Sequence, residues 1–388
     1  TKYYWKVVAT DPSGSIASSV MNFTVEVAPE WSYDTDDDVY EVRISEDGEY
    51  IVVGTEDNIY LFDKDSDTPL WEYEGGIGDI SNYLAISADG EYIAVKSDKL
   101  YLFDKDSNTP LWSSNHSDIG RVAISANGEY IVSGILLFGK DSSTPLRSYE
   151  TGTDSLYSIS ISADGNYIAG RQGDYVYLFD RDVSDPLWSY ECDESVNAVA
   201  ISADGEYITI GCDDYKVYLF DKDSSTPLWS YETGHSPFSV DISVNGEYVV
   251  AGSGDSNVYL FSKDSSTPLW SYDSNGNVRA VAISSDGKYV TATLEGGSPQ
   301  ILFFSKDSST PLWSYNVGSN TLSSLYTVDI SADGKQIVAG SYNDKVYSFK
   351  NNLVTASPFL LPYSPLEGGE IERPVSLQWF ASSDDRAN

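Results

Sequence analysis

Methionine occurs once in the 388-residue chain, cysteine and histidine twice each, and basic residues number 23 against 60 acidic ones. Each shortage excludes something. His116 and His235 stand far apart in the chain, and with Cys192 and Cys212 they offer little for a zinc site built on nitrogen and sulfur. A single methionine beside 30 tyrosines favours β-structure over helix bundles. The formal charge of −37 and a pI near 4.1 describe a surface that repels DNA, RNA and anionic lipid, so nucleic-acid binding is not expected. Such a surface suits a salty environment, a cation-rich cell surface or simple solubility. No apolar run approaches the ~20 residues of a spanning helix. A signal peptide is also missing and the chain begins at Thr1, so we read it as a processed or excised piece of a longer protein. Neither a nucleophile elbow nor a phosphate-cradling glycine loop occurs. Carboxylates, by contrast, are too abundant for any pair to stand out as a glycosidase dyad.

What the chain does have is repetition. A hydrophobic fraction of 41%, with 13% aromatic, is enough for a core. Two phrases recur through it. "DKDSSTPLWSY" (221–231) has close copies beginning at Asp63, Asp104, Gly139, Asp180, Ser262 and Ser305, which makes seven. "ISADGEY" (201–207) has eight, with turn glycines at Gly48, Gly90, Gly128, Gly165, Gly205, Gly246, Gly287 and Gly334. Their spacing of 37 to 47 residues is that of a propeller blade of four short strands. In the fifth copy "VAIS", "EYITIG", "KVYLF" and "LWSYE" read as those strands, joined at "ADG" and "DKDSSTP" by turns suited to glycine, aspartate, serine and proline. No helical period appears.

The mismatch of seven and eight has a structural reading. The last cycle ends at "VYSFKNNL" without "TPLWSY", while an orphan "EWSY" (30–33) precedes the first cycle. The N-terminal segment is expected to add the missing outer strand to the last blade and close a ring of eight. Trp31, Trp71, Trp112, Trp188, Trp229, Trp270 and Trp313 hold one position in each blade and read as wedges between blades. The third blade departs, with Arg147 for the tryptophan, Gly139 for the first aspartate and a shortened "YIVSGILLFGK"; the shortest upper hairpin is expected there.

These motifs resemble the surface-layer and WD-like β-propeller repeats of archaeal and bacterial surface proteins, over roughly residues 29–350. The resemblance implies an all-β, eight-bladed propeller of four-stranded antiparallel blades. Residues 1–28 resemble the last strands of a fibronectin type III domain, two alternating strands around "DPSG" with Trp5 in the core. Residues 351–388 resemble a linker and the first strands of a second such domain, with Trp379 on the second. Both copies are incomplete, which raises pairing with one another, with a neighbouring subunit, or with sequence cut away. The "SxDG" turn is not a sialidase Asp-box, and the adjacent cysteines of quinoprotein dehydrogenases are missing.

Alternating strands sort the loops onto two rims. The "SxDG" and "DKDSSTP" turns share the lower rim, and the loops that vary from blade to blade collect on the upper one. Binding is expected through the upper loops, with Tyr83, His116, Arg121, Tyr157, His235, Phe238 and Arg279 as candidates. "DKDSST" is also similar to a calcium loop, and Asp63, Asp65, Asp221 and Asp223 are the weak candidate ligands. Glu232, twelfth from Asp221, lies too far along the outgoing strand for an EF-hand. Cys192 and Cys212 fall on the upper rim of one blade, where a disulfide is expected; it would favour an oxidising compartment. Asn22 and Asn115 lie in glycosylation sequons. No cofactor is expected apart from calcium. These readings converge on a non-enzymatic extracellular or cell-surface module for adhesion, envelope structure or assembly, with a protein or glycan partner. The alternatives are a filament or sheath subunit and a glycan lyase or glycosidase.

Overall fold

The computed structural model describes residues 27–351 except 75–82, 117–119, 153–154 and 318–324, and before residue 27 the backbone of four short strands. Thr1–Lys350 forms one compact unit and Asn351–Asn388 another. The second fibronectin-like segment and Trp379 therefore lie outside the described residues. In the N-terminal segment Lys2–Trp5 pairs antiparallel with Met21–Thr24, and Val8–Asp11 with Gly14–Ala17. This is one nested hairpin about the "DPSG" stretch.

Eight four-stranded antiparallel sheets follow, each in simple sequential order except the last. Blade 5 is representative: Val196–Ile201, Tyr207–Cys212, Lys216–Asp221 and Trp229–Glu232. Blade 8 combines Leu325–Ile330, Gln336–Ser341 and Lys345–Lys350 with Trp31–Asp34 from the other end of the ring. Trp31 lies opposite Ser348 and Ser32 opposite Tyr347. The chain is an eight-bladed β-propeller closed by its N-terminal outer strand.

Adjacent blades are held together at three levels. Towards the outside, each tryptophan ring lies on a phenylalanine of the next blade, as in Trp31–Phe62 and Trp229–Phe261, with centroids 5.2 Å apart in both. Six of the seven indole N–H groups also donate to the backbone carbonyl after the next blade's third strand; Trp188 reaches Lys222 O at 2.8 Å. Trp313 is the exception, its buried Nε1 having no hydrogen-bond partner among the described residues.

Lower down, Ser202 Oγ bonds Asp204 and the N–H of Tyr207, while Asp204 accepts the N–H of Glu206. This network fixes the turn, and Gly205 takes φ +75°. A Cβ at Gly205 would stand 2.4 Å from the Tyr167 ring of the preceding blade. The tyrosine of "GEY" and the glycine of "DG" therefore fit each other across the blade boundary, which explains why the two residues recur together.

At the lower mouth, backbone hydrogen bonds run around the ring. The N–H groups of Ala88, Ala126, Ala163, Ala203, Val244, Ser285 and Ala332 donate in turn to the carbonyls of Ala126, Ala163, Ala203, Val244, Ser285, Ala332 and Glu46. Asp47 N–H donates to Ala88 O at 3.3 Å and completes the circuit.

Blade 3 is the least regular. Its upper hairpin joins Tyr130–Ser133 to Leu136–Gly139 through two residues, and its outer strand is only Arg147–Ser148. Tyr149 compensates for the lost tryptophan. Its ring lies 4.7 Å from Phe179, and its hydroxyl donates to Arg181 O at 3.3 Å, the acceptor equivalent to Lys222 O in the next blade. Tyr149→Phe is expected to lower stability by about 1 kcal/mol, the worth of one buried hydrogen bond. Urea denaturation checks this, and an unchanged midpoint would show the hydroxyl to be idle.

Candidate functional site

The inner strands of all eight blades surround a central channel of about 780 Å³. Each inner strand runs from the upper mouth towards the "SxDG" turn, so residues at its start face the upper opening. Alternation on these strands builds the lining in layers. The residue before "IS" is Ala85, Ala123, Ala200 or Ala282 in four blades, but Arg43, Ser160, Asp241 or Asp329 in the others.

Those exceptions form a charged layer. Arg43 pairs with Glu41, and Asp329 and Asp241 face it through the channel. Asp329 accepts the N–H of Ile44 at 3.0 Å and of Ile330 at 2.9 Å, while Asp241 accepts those of Ile283 at 2.9 Å and Ile242 at 2.8 Å. Burial pushes the Asp241 carboxyl up to about 7 against the pull of its two backbone donors and Arg43. Asp329 is raised by burial too, with Arg43 opposing. Burial disfavours the Arg43 cation, yet the surrounding carboxylates keep its pKa above the ordinary value.

The upper mouth is shaped by β-bulges. Five inner strands shift register at Val39/Glu41, Val196/Ala198, Pro237/Ser239, Val278/Ala280 and Leu325/Thr327. The extra residue in each is Tyr40, Asn197, Phe238, Arg279 or Tyr326, and all five line the channel. A bulge lets a strand aim consecutive side chains to one side, which simple alternation forbids.

On the side of blades 6, 7, 8 and 1, the Arg279 guanidinium lies 4.5 Å from the Phe238 ring centroid and 5.7 Å from that of Tyr326. Tyr326 stacks on Tyr342 at 4.3 Å, and Tyr342 meets Tyr40 edge-on at 5.4 Å. Glu295 anchors this platform, accepting from Arg279 Nε at 2.6 Å and from the Tyr326 hydroxyl at 2.9 Å. Burial works against the Glu295 carboxylate, but those two donors hold it below its usual range.

Across the mouth, in blades 2–4, Arg121 lies over Tyr83 at 5.0 Å and Arg171 over Tyr157 at 5.8 Å. Among the described residues the one carboxylate that Arg121 reaches is Glu41, at 3.9 Å. Arg171 forms no ion pair among the described residues, and its buried Nε has no hydrogen-bond partner. Burial lowers its pKa, and the like charge of Arg121 lowers it further.

Of the seven upper-rim candidates, the structure brings Tyr83, Arg121, Phe238 and Arg279 into the channel lining. Tyr157 is 45% exposed beside Arg171, and His235 stacks on Tyr215 at 5.3 Å with Phe238 next to it. His116 does not join them. It meets Phe138 edge-on at 5.3 Å, the place that a tyrosine such as Tyr231 takes against Phe261, because blade 2 carries Ser114 there. Its ring nitrogen contacts Ser114 Oγ at 3.0 Å, so it completes the packing of blade 2.

Cys192 and Cys212, between which a disulfide is expected, are both buried and stand as free thiols in this structure. The Cys212 thiol donates to Glu194 O at 3.0 Å, and both side chains belong to an apolar cluster with Val196, Ile210 and Tyr218. The lower-rim aspartates act locally. Asp63 and Asp221 each accept the N–H two residues on, at 2.9 Å from Asp65 and Asp223. Glu232 pairs with Lys216, at the opposite end of the strand from Asp221. Among the described residues no three His, Cys, Asp or Glu side chains are grouped to share a metal. Asn115 is exposed; Asn22 lies on Met21–Thr24, with its side chain outside the described residues.

Sequence reasoning missed Arg43, Asp241, Asp329, Tyr326, Tyr342 and Arg171. For the first three a signal existed, since aligning the copies shows a charge where the repeat has alanine.

Comparison with known families agrees with the repeat. Residues 216–352 match the family described as "Outer membrane protein assembly factor BamB", and residues 184–221 match "WD domain, G-beta repeat". Both matches lie within the propeller, and each covers less than half of the chain. Among curated proteins no match is found. No helix among the described residues is long and apolar enough to cross a membrane.

Proposed function

We propose that this protein is a non-catalytic binding module that engages a protein partner through the upper mouth of its propeller, in the cell envelope or at the cell surface. The observation that carries this reading is the set of five bulges turning Tyr40, Asn197, Phe238, Arg279 and Tyr326 towards one opening. A closed propeller does not need these bulges, for blades 2 and 3 lack them among their described pairs. The five bulge residues are half-buried, and aromatic and arginine side chains gathered in one patch are the usual anchors of protein interfaces. The similarity to an assembly-factor family and to WD repeats supports a role in protein assembly. The acidic surface supports an exterior or envelope setting.

A photo-crosslinking residue at Tyr326, with a control at Val244 on the lower mouth, tests this in the native cell. A protein captured from Tyr326 but not Val244, and lost on Arg279→Ala without a change in melting, is the expected result. Equal capture from both ends would overturn it.

The carbohydrate-active alternative also has an observation behind it, because a carboxylate, an arginine and aromatic rings do converge at the mouth. Glu295, however, is held charged by Arg279 and Tyr326, the opposite of what a proton-donating acid requires. Turnover of any glycan in an array-scale hydrolysis assay would restore that alternative. The filament alternative rests on terminal segments whose side chains lie outside the described residues.

A further inference from the structure

Four arginines reach the channel or its upper mouth, and they fall into two kinds. Arg43 and Arg279 each have a carboxylate in close contact, Glu41 and Glu295. Among the described residues Arg121 and Arg171 do not: the first has Glu41 at 3.9 Å, and the second forms no ion pair, although the Asp213 carboxylate is near enough to act on it. In a chain with 60 acidic and 23 basic residues, two neighbouring cations left almost without anions are conspicuous. Packing does not require their charge. A guanidinium over a tyrosine face that lacks a carboxylate in close contact keeps N–H donors for a planar anion.

Arg171 sits at the upper end of the second strand of blade 4, where its carbonyl accepts the N–H of Tyr157 at 2.9 Å. That bond fixes its backbone beside the start of the inner strand. Arg121 immediately precedes the inner strand Val122–Ile124 of blade 3, and its charge is felt at Arg171. Two cations held near each other, with only Glu41 at 3.9 Å from Arg121 and Asp213 near Arg171 to offset them, repel, so an anion seated between them relieves both.

We propose that Arg121 and Arg171, flanked by Tyr83 and Tyr157, form a carboxylate-binding site for acidic side chains of an extended segment of the partner protein. This rests on the protein-binding reading above and names what its partner must carry. The acidic exterior repels an acidic partner everywhere else, so the segment is accepted at one place and in one orientation. Selectivity then arises from local reversal of charge rather than from long-range attraction.

The test uses the full chain and a capped pentapeptide, Glu-Glu-Tyr-Glu-Glu, against its Gln-for-Glu counterpart, by isothermal titration calorimetry. The Glu peptide is expected to bind at least tenfold tighter, and Arg121→Gln and Arg171→Gln each to weaken it about tenfold. The Arg121 side chain is 46% exposed, so Arg121→Gln keeps the fold, and an unchanged melting temperature verifies that. Equal binding of the two peptides, or no response to Arg121→Gln, overturns the site. A trigalacturonate arm, bound more tightly than the Glu peptide in an Arg121-dependent way, overturns the assignment to a protein segment. The two readings fail separately. Peptide binding without a crosslinked protein removes the partner while the site stands, and a crosslinked partner indifferent to Arg121→Gln removes the site alone.

Discussion

Trp31→Ala is expected to destabilise the protein by about 3–5 kcal/mol, as truncation of a buried tryptophan does, and to lower the melting temperature by on the order of 10 °C. The indole is 9% exposed, stacks on Phe62 and donates to Lys64 O at 2.7 Å. Trp229 makes the same contacts with Phe261 and Lys263, and Trp229→Ala is the control. The two differ in covalent setting. Trp229–Glu232 follows its neighbouring strand Lys216–Asp221 through a short turn, whereas Trp31–Asp34 meets Lys345–Lys350 with no turn between them. That junction is held by the ladder, by Glu30 N–H and Thr35 N–H donating to Ser348 O and Asp344 O at 2.7 and 2.8 Å, and by Lys345 with Asp34 at 3.1 Å. Closing a loop of some three hundred residues carries an entropic cost that the adjacent strands of other blades do not bear. Trp31→Ala should therefore also broaden the transition and increase protease cutting near residue 350, which Trp229→Ala should not. Identical scanning calorimetry traces for the two variants would show that the junction is no weaker than any other blade.

Arg43→Met should cost a similar amount, about 3–5 kcal/mol, because it leaves Glu41, Asp241 and Asp329 without their central cation. The sign of its pH dependence follows from the carboxyls. The Asp241 pKa is about 7 in the folded chain and about 4 when unfolded. Between those values the folded state keeps a proton that the unfolded state releases, so stability falls as pH rises through this window and levels off above it. Removing Arg43 takes away an attraction that favours the ionised carboxyls, raising the folded pKa values further and widening the window. The melting difference between wild type and Arg43→Met should therefore be small at pH 5 and large at pH 8, and adding Asp241→Asn should recover part of it. A difference that does not change with pH would show that the channel charges are solvated and independent.

Much of this was legible in the sequence. Seven phrases against eight, with an orphan "EWSY", imply a ring closed by a borrowed strand, and that count survives translation into coordinates because strand number follows directly from turn number. The blade 3 irregularity was also readable, since a deletion between two strands shortens a hairpin wherever it lies. The mouth was only half readable. Arg121 and Arg279 stand out as rare cations in variable loops, but Arg171 lies on a second strand and Tyr342 directly after one, and they reach the site only because those strands end on the same rim. His116, another variable-loop residue, packs instead: a serine two residues earlier leaves a gap beside Phe138 that its ring fills.

The sequence by itself determined the blade and the number of blades, because these depend on local turn chemistry repeated at a constant period. Only the tertiary structure decided which charges meet. Arg43, Asp241 and Asp329 are separated by long stretches of chain, and a circular arrangement brings them to one axis. The five bulges likewise depend on how each inner strand fits its neighbours, and they convert alternating strands into a mouth lined with aromatic rings and arginines. The two thiols of blade 5 share one buried cluster, and a bond between two such thiols depends on the direction of each Cβ–S vector, which tertiary packing sets.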